Sequence, residues 1–277
     1  MSSNDVSRRT FLAWTGVAAS ALAAHSVMAG DNTAVAATKD SASLLVTPSG
    51  ITPEGYVYQQ AFMPVRKQHL DLKHTALFIT DPQNDFLSPG GGGWPLVGEE
   101  VVASKVVEHE KLLVKTAKDV GIRVFYSPHM YSEKDYKYWD RSKFNAIDQL
   151  MFSNNMFKQG TWGHQFHPEL EPDDNTIVMN PHKGLSNFWT GDASIQLREH
   201  NIETLIMCGM ACNLCVESHA RDAVENGFKV ILVADCTAGS GPLAKKAALV
   251  NYEYIANELV TTAQIITRLN ETKKAHS

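Results

Sequence analysis

Three observations predict an α/β fold in which a mostly parallel, six-stranded sheet lies between two layers of helices. Short apolar, β-rich runs alternate with longer helical patterns, as they do where crossover helices join parallel strands. The runs are apolar at nearly every residue rather than at alternate ones, which suits strands covered on both faces. Chemistry-bearing residues follow the runs directly, and in an open parallel sheet ligands gather beyond the carboxyl ends of the strands. The class is a three-layer, Rossmann-like sandwich.

The predicted strands are TALFIT (75–80), IRVFYS (122–127), NTIVM (175–179), TLIMCG (204–209), KVILVAD (229–235) and a short ELVT (258–261). One long amphipathic helix is predicted over 99–120, stopped by Gly121, with further helices over 191–200 and 214–226, the last closed by Gly227. The domain built from these elements spans 73–277. Residues 37–72 are polar and weakly periodic, and read as a linker and N-terminal extension. Residues 1–36 place Arg8-Arg9 before an uncharged stretch and then small residues near Ala29 and Ala36. That order reads as a twin-arginine export signal, handled by the twin-arginine translocation machinery and then removed. Its apolar run is too short and alanine-rich to span a membrane. The expected location is the periplasm or another exported compartment, with no membrane attachment after processing.

The 277 residues are 44% hydrophobic and 20% charged, enough for one large domain, and the net charge of -5 gives no basis for nucleic-acid binding. The four cysteines fall late in the chain and form no disulfide framework. Cys212 and Cys215 have CxxC spacing, but Cys208 and Cys236 supply no second pair, so a zinc half-site is not expected.

Asp81 follows the first strand, His129 the second, His182 and Lys183 the third, the Cys212–Cys215 stretch the fourth, and Asp235 and Cys236 the fifth. A carboxylate, a cation and a thiol thus reach one rim. Cys215 opens a helix, with Asn213 as its N-cap, where backbone N–H groups and the dipole should lower a thiol pKa. The alternative is a small buried hydrophobe. Asp81 reads as a general base or as a turn residue before Pro82. Asp85, in the same loop, reads as structural. Lys183 reads as a cation beside thiol and carboxylate, or as an ordinary surface lysine.

The segments ALFITDPQNDF, GTWGHQFHPELEP, HKGLSNFWTGD and CGMACNLCVESHARDAVENGFKVILVADCTAG together resemble the isochorismatase-like cysteine hydrolases. This group includes nicotinamidases, carbamoyl-amide hydrolases and isochorismatases. The resemblance covers roughly 73–265. It implies an Asp81, Lys183, Cys215 catalytic set without an organic cofactor. The backbone N–H groups of Ala211 and Cys215 would receive an oxyanion, and Met210-Ala211 would be a cis peptide. Counted back from Phe188, the family's lysine position falls on His182, with Lys183 one residue later, so His182 is held as an auxiliary. Ser127-Pro128-His129 lacks the carboxylate of the nicotinamidase Asp-x-His metal motif. No metal is therefore expected, the alternative being a site revived by His164 and His167, and His129 is a second auxiliary. Cys212 stands where a small non-cysteine residue is usual, and a reversible disulfide with Cys215 would act as a brake.

Phe86, Trp94, Trp139, Trp162 and Phe188 are expected to line the substrate pocket, the alternative being that they cap the core. The reading that results is an exported cysteine hydrolase of a small amide, imide or related carbonyl compound, working as a homo-oligomer. Two rivals remain: a thiol-disulfide protein using Cys212 and Cys215, and a non-catalytic periplasmic binding protein on a hydrolase fold.

Overall fold

In a computed structural model of the protein, residues 67–275 are described, so the twin-arginine segment and most of the predicted linker lie outside the described residues. β1 (Thr75–Thr80) leads through one helical turn, α1 (Asn84–Leu87), into α2 (Trp94–Ala103), α3 (Val106–Val120) and β2 (Arg123–Ser127). An excursion carrying α4 (Glu133–Tyr138) and α5 (Ala146–Ser153) precedes β3 (Thr176–Val178). Then come α6 (Asn187–Thr190), α7 (Ala193–Glu199), β4 (Thr204–Met210), a π-helical turn (Cys212–Val216) and α8 (Glu217–Glu225). β5 (Lys229–Ala238), α9 (Pro242–Ile255), β6 (Glu258–Val260) and α10 (Thr262–Ala275) complete the domain.

The strands form one parallel sheet in the order β3-β2-β1-β4-β5-β6. Its two faces explain why the runs are apolar throughout. Phe78, Phe125 and Met207 point to the side covered by α7, α8 and α9, where Leu197, Ala220 and Leu249 are buried. Leu77, Ile79 and Ile206 point to the side covered by α3 and α10, which contribute Leu113, Ala117, Ile265 and Leu269. A third cluster, including Phe86, Val101, Phe152 and Phe157, roofs the carboxyl edge.

Two predicted elements are corrected. The single helix over 99–120 is two helices, broken at Lys105, whose φ of 50° is left-handed. That conformation costs about 1–2 kcal/mol. It turns the chain so that Val101 and Val106 are both buried, and full burial of such a side chain contributes about 1.5–3 kcal/mol. The fifth strand runs on to Ala238 through a bulge, its register moving from Met207↔Leu232 to Gly209↔Thr237. The bulge takes Asp235 away from the rim, where Oδ1 instead accepts from Thr262 N and Oγ1 and caps α10.

The strand order reverses at β1, whose neighbours are β2 on one side and β4 on the other. Thr80, the last residue of β1, pairs with Ser127 and with Gly209. The segments after β1, β2 and β4 therefore leave the sheet side by side at the switch point, where such folds place their ligands.

Candidate active site

Asp81 is the first residue beyond β1 and is wholly buried. Its φ of 51° is left-handed, a conformation that Asp tolerates better than most residues. His182 reaches it from beyond β3, because the β2–β3 pairing continues past the strands as a His129↔His182 bridge. His182 Nε2 donates to Asp81 Oδ1 at 2.8 Å. Asp81 Oδ2 has no hydrogen-bond partner and lies 3.7 Å from His129 Nδ1. His129 is fixed by Gln83, which donates to its carbonyl and accepts from its N–H.

Cys215 completes the cluster, since its Sγ, an Asp81 oxygen and a His129 ring nitrogen all lie within 4.8 Å of one another. It is buried, inside the π-helical turn that β4 enters through the cis peptide Met210-Ala211. Ala211 occupies the cap position with no side-chain cap, so the expected N-cap Asn213 is instead inside the turn. Gly209 lets β1 and β4 approach, since its φ is +116° and a Cβ there would stand 2.2 Å from the Thr80 carbonyl oxygen.

The electrostatics reverse one expectation. Burial and then the Asp81 charge push the Cys215 thiol well up, although the backbone N–H groups of Ala211 and Cys215 itself pull the other way. The helix start does not make a resting thiolate, so the sulfur needs a base. Burial alone would raise Asp81 too, but the His182 charge, the His182 hydrogen bond and the nearby His129 ring outweigh it and hold the carboxyl well below its usual range. A thiol beside a carboxylate with an unshared acceptor lone pair can serve as nucleophile and base.

His219, which the sequence reading passed over, fixes the turn from below. Its Nε2 accepts from Asn187 N at 2.9 Å and Nδ1 donates to the Cys215 carbonyl at 2.6 Å. A backbone N–H can only donate and a carbonyl only accept, so the proton sits on Nδ1. The i, i+4 spacing from Cys215 on one helix face was the available signal. Ser127 adds a contact to the same Nε2 at 3.1 Å.

The expected approach of Lys183 to Asp81 and Cys215 is not found. Its ammonium donates to both oxygens of Asp135 at 2.6 Å and lies over the Trp139 ring, while His182 takes the place beside Asp81. The cause is register: His182 N donates to Pro128 O and turns the histidine, not its successor, inward.

The expected pocket aromatics separate as well. Phe86 is 2% exposed, packed edge-on against Phe157, and belongs to the roof. Phe188 packs against the core beside Phe78 and His219. Trp94 is half-buried and folds over Gly98. Trp139 and Trp162 remain partly exposed, and Trp139 stands edge-on against Tyr131, whose ring lies tilted against His129.

Both CxxC thiols are free. Cys212 packs into the apolar core of the α7–α9 face, its carbonyl accepting from Tyr252, and burial pushes its thiol up to about 12. Asp85 is structural, accepting from Gly92 N and Phe157 N.

The Isochorismatase domain model matches residues 75–264. Among curated proteins the chain is 29% identical over 220 residues to a ureidoacrylate amidohydrolase of Azorhizobium caulinodans, covering 73% of this chain and 93% of that one. Among solved structures it resembles a cysteine hydrolase from Pseudomonas syringae pv. phaseolicola, with a TM-score of 0.66 and 22% identity over 76% of this chain and 98% of that one. An N-carbamoylsarcosine amidase from Thermoplasma acidophilum shares the fold at a TM-score of 0.53 and 18% identity, covering 68% of this chain and 98% of that one.

Proposed function

Since the chain belongs to the isochorismatase family, we propose that it is an amidohydrolase that cleaves the C–N bond of a small amide or N-carbamoyl substrate through Cys215. One observation carries the reading: a thiol and an ionised carboxylate with a free acceptor lone pair share a buried cluster.

Asp81 takes the Cys215 proton as substrate enters and displaces water. The sulfur attacks the carbonyl carbon, and the charge that develops on oxygen meets the N–H groups of Ala211 and Cys215. Collapse breaks the C–N bond, and the proton held on Asp81 leaves with the nitrogen. Water then attacks the thioester and gives a proton to Asp81, which passes it to the departing thiolate, so that thiol and carboxylate are both restored. His182 holds Oδ1 so that Oδ2 faces the chemistry. It is a positioning residue in the place that the lysine was expected to fill. The substrate class draws on the amide and carbamoyl chemistry in the names of the relatives.

An ammonia-release screen over amides and N-carbamoyl compounds tests the reading. Cys215→Ala should lose more than about 10^4-fold in kcat with its circular dichroism unchanged. Turnover within tenfold of the unmutated protein would refute it. We read Arg8-Arg9 as sending this activity out of the cytoplasm, which cell fractionation followed by the same assay checks.

A further inference from the structure

Cys208 and Cys236 are the two cysteines outside the catalytic turn. Cys208 is on β4 and Cys236 in the β5 bulge, and both belong to the apolar cluster on the face covered by α3 and α10. From α3, Glu110 is set against them. One Glu110 oxygen and the two sulfurs all lie within 4.8 Å of one another, and all three residues are 0% exposed. Neither Glu110 oxygen has a hydrogen-bond partner. The surroundings include Leu113, Ile206, Val233 and Ile265. A carboxyl group left unpaired in such a place destabilises the fold unless something satisfies it. An aliphatic residue at the same position of α3 would carry no such cost. Two sulfurs and an oxygen converging on one point form a donor set for a thiophilic metal ion.

We propose that Glu110, Cys208 and Cys236 bind a thiophilic metal ion of the zinc type, at a structural site independent of the catalytic cluster. Zn–S and Zn–O bonds of about 2.3 and 2.1 Å in tetrahedral geometry separate the donor atoms by about 3.5–3.8 Å. Closing to that from 4.8 Å is a contraction of at most about 1.3 Å, within reach of the Glu110 side chain. On binding, each sulfur and the Glu110 carboxyl exchange a proton for a bond to the metal, and the protons pass to solvent. A four-coordinate ion takes one further small ligand, such as water. The ion joins α3 to β4 and β5.

The test uses the full chain carrying Cys215→Ala, so that the catalytic thiol cannot contribute. Protein from zinc-supplemented cells should hold about one zinc per chain after gel filtration. Replacement by Co2+ should give sulfur-to-cobalt charge-transfer absorption with tetrahedral d–d bands, and removing the metal with a chelator should lower Tm. Cys208→Ala with Cys236→Ala should abolish the cobalt bands. Should that double variant fail to fold, the cobalt spectrum of protein with both cysteines intact decides alone. Zinc at background level without a cobalt spectrum overturns the proposal. So does an intact mass showing a Cys208–Cys236 disulfide, or zinc retained only when Cys215 is present.

Discussion

Asp81 and Glu110 are both wholly buried carboxylates with a cysteine sulfur within 4.8 Å, yet their surroundings are opposites. Asp81 sits where three strand ends converge. One of its oxygens is bound by His182, and two further imidazoles, those of His129 and His219, lie within the same group of side chains. Glu110 sits mid-helix under a face of aliphatic residues with nothing bound to either oxygen. In the first case polar donors compensate the charge and leave one lone pair for chemistry. In the second nothing offsets a charge, and burial pushes the Glu110 carboxyl well up; the proposed cation would be its only compensation. Burial alone therefore does not identify a working carboxylate, and the partners on each oxygen do.

The largest effect expected on the Asp81 side comes from Asp81→Asn. The amide cannot take the thiol proton, so kcat/KM should fall about 10^3-fold or more while the fold persists. A fall below tenfold in the ammonia-release assay would remove Asp81 as the base and erase the distinction between the two carboxylates.

His182→Ala should cost about 10- to 10^2-fold in kcat, because the base loses the donor that orients it. The sharper readout is the pH profile. Without His182 the carboxyl is less strongly held down, so the acid limb of kcat/KM should move to higher pH. An unmoved limb would mean that His182 serves the fold only.

A smaller effect concerns stability. Burial, followed by the charge of His182, lowers His129 to about 4 and His219 to about 3. Histidines of the unfolded chain titrate near about 6.5 and bind protons that the folded state refuses below that pH. Stability from these two groups is thus fully present above about 6.5 and drains away as pH falls, through about 4 for His129 and about 3 for His219. Thermal melts at successive pH values should show Tm declining through that window, more gently in His219→Gln. A level Tm would contradict the neutral imidazoles.

Much of the fold was legible because burial on two faces writes itself as unbroken apolar runs, and TALFIT coincides with β1 to the residue. The β5 extension was not, since Asp235, Cys236 and Thr237 look like a strand end and only the bulge keeps them in the sheet. The helix break at Lys105 carries no glycine to announce it. At the site, strand-end position exposed Asp81 and Cys215. The choice between His182 and Lys183 depended on a one-residue register, and the His129↔His182 bridge that sets it lies outside the strands. The thiol's pKa departs from expectation because local position reveals a helix start but neither the burial of the sulfur nor the nearby charge of a residue far away in sequence.

The contact at Gly209 bears on how such a protein diversifies. With no room for a Cβ against the Thr80 carbonyl, the spacing of the two reacting groups is built into main chain rather than into exchangeable side chains. New substrate ranges must then come from the segments over the site, where Trp139 and Lys183, the latter paired with buried Asp135, stand partly exposed. An engineer seeking new specificity would randomise that outer layer and leave the strand junction untouched.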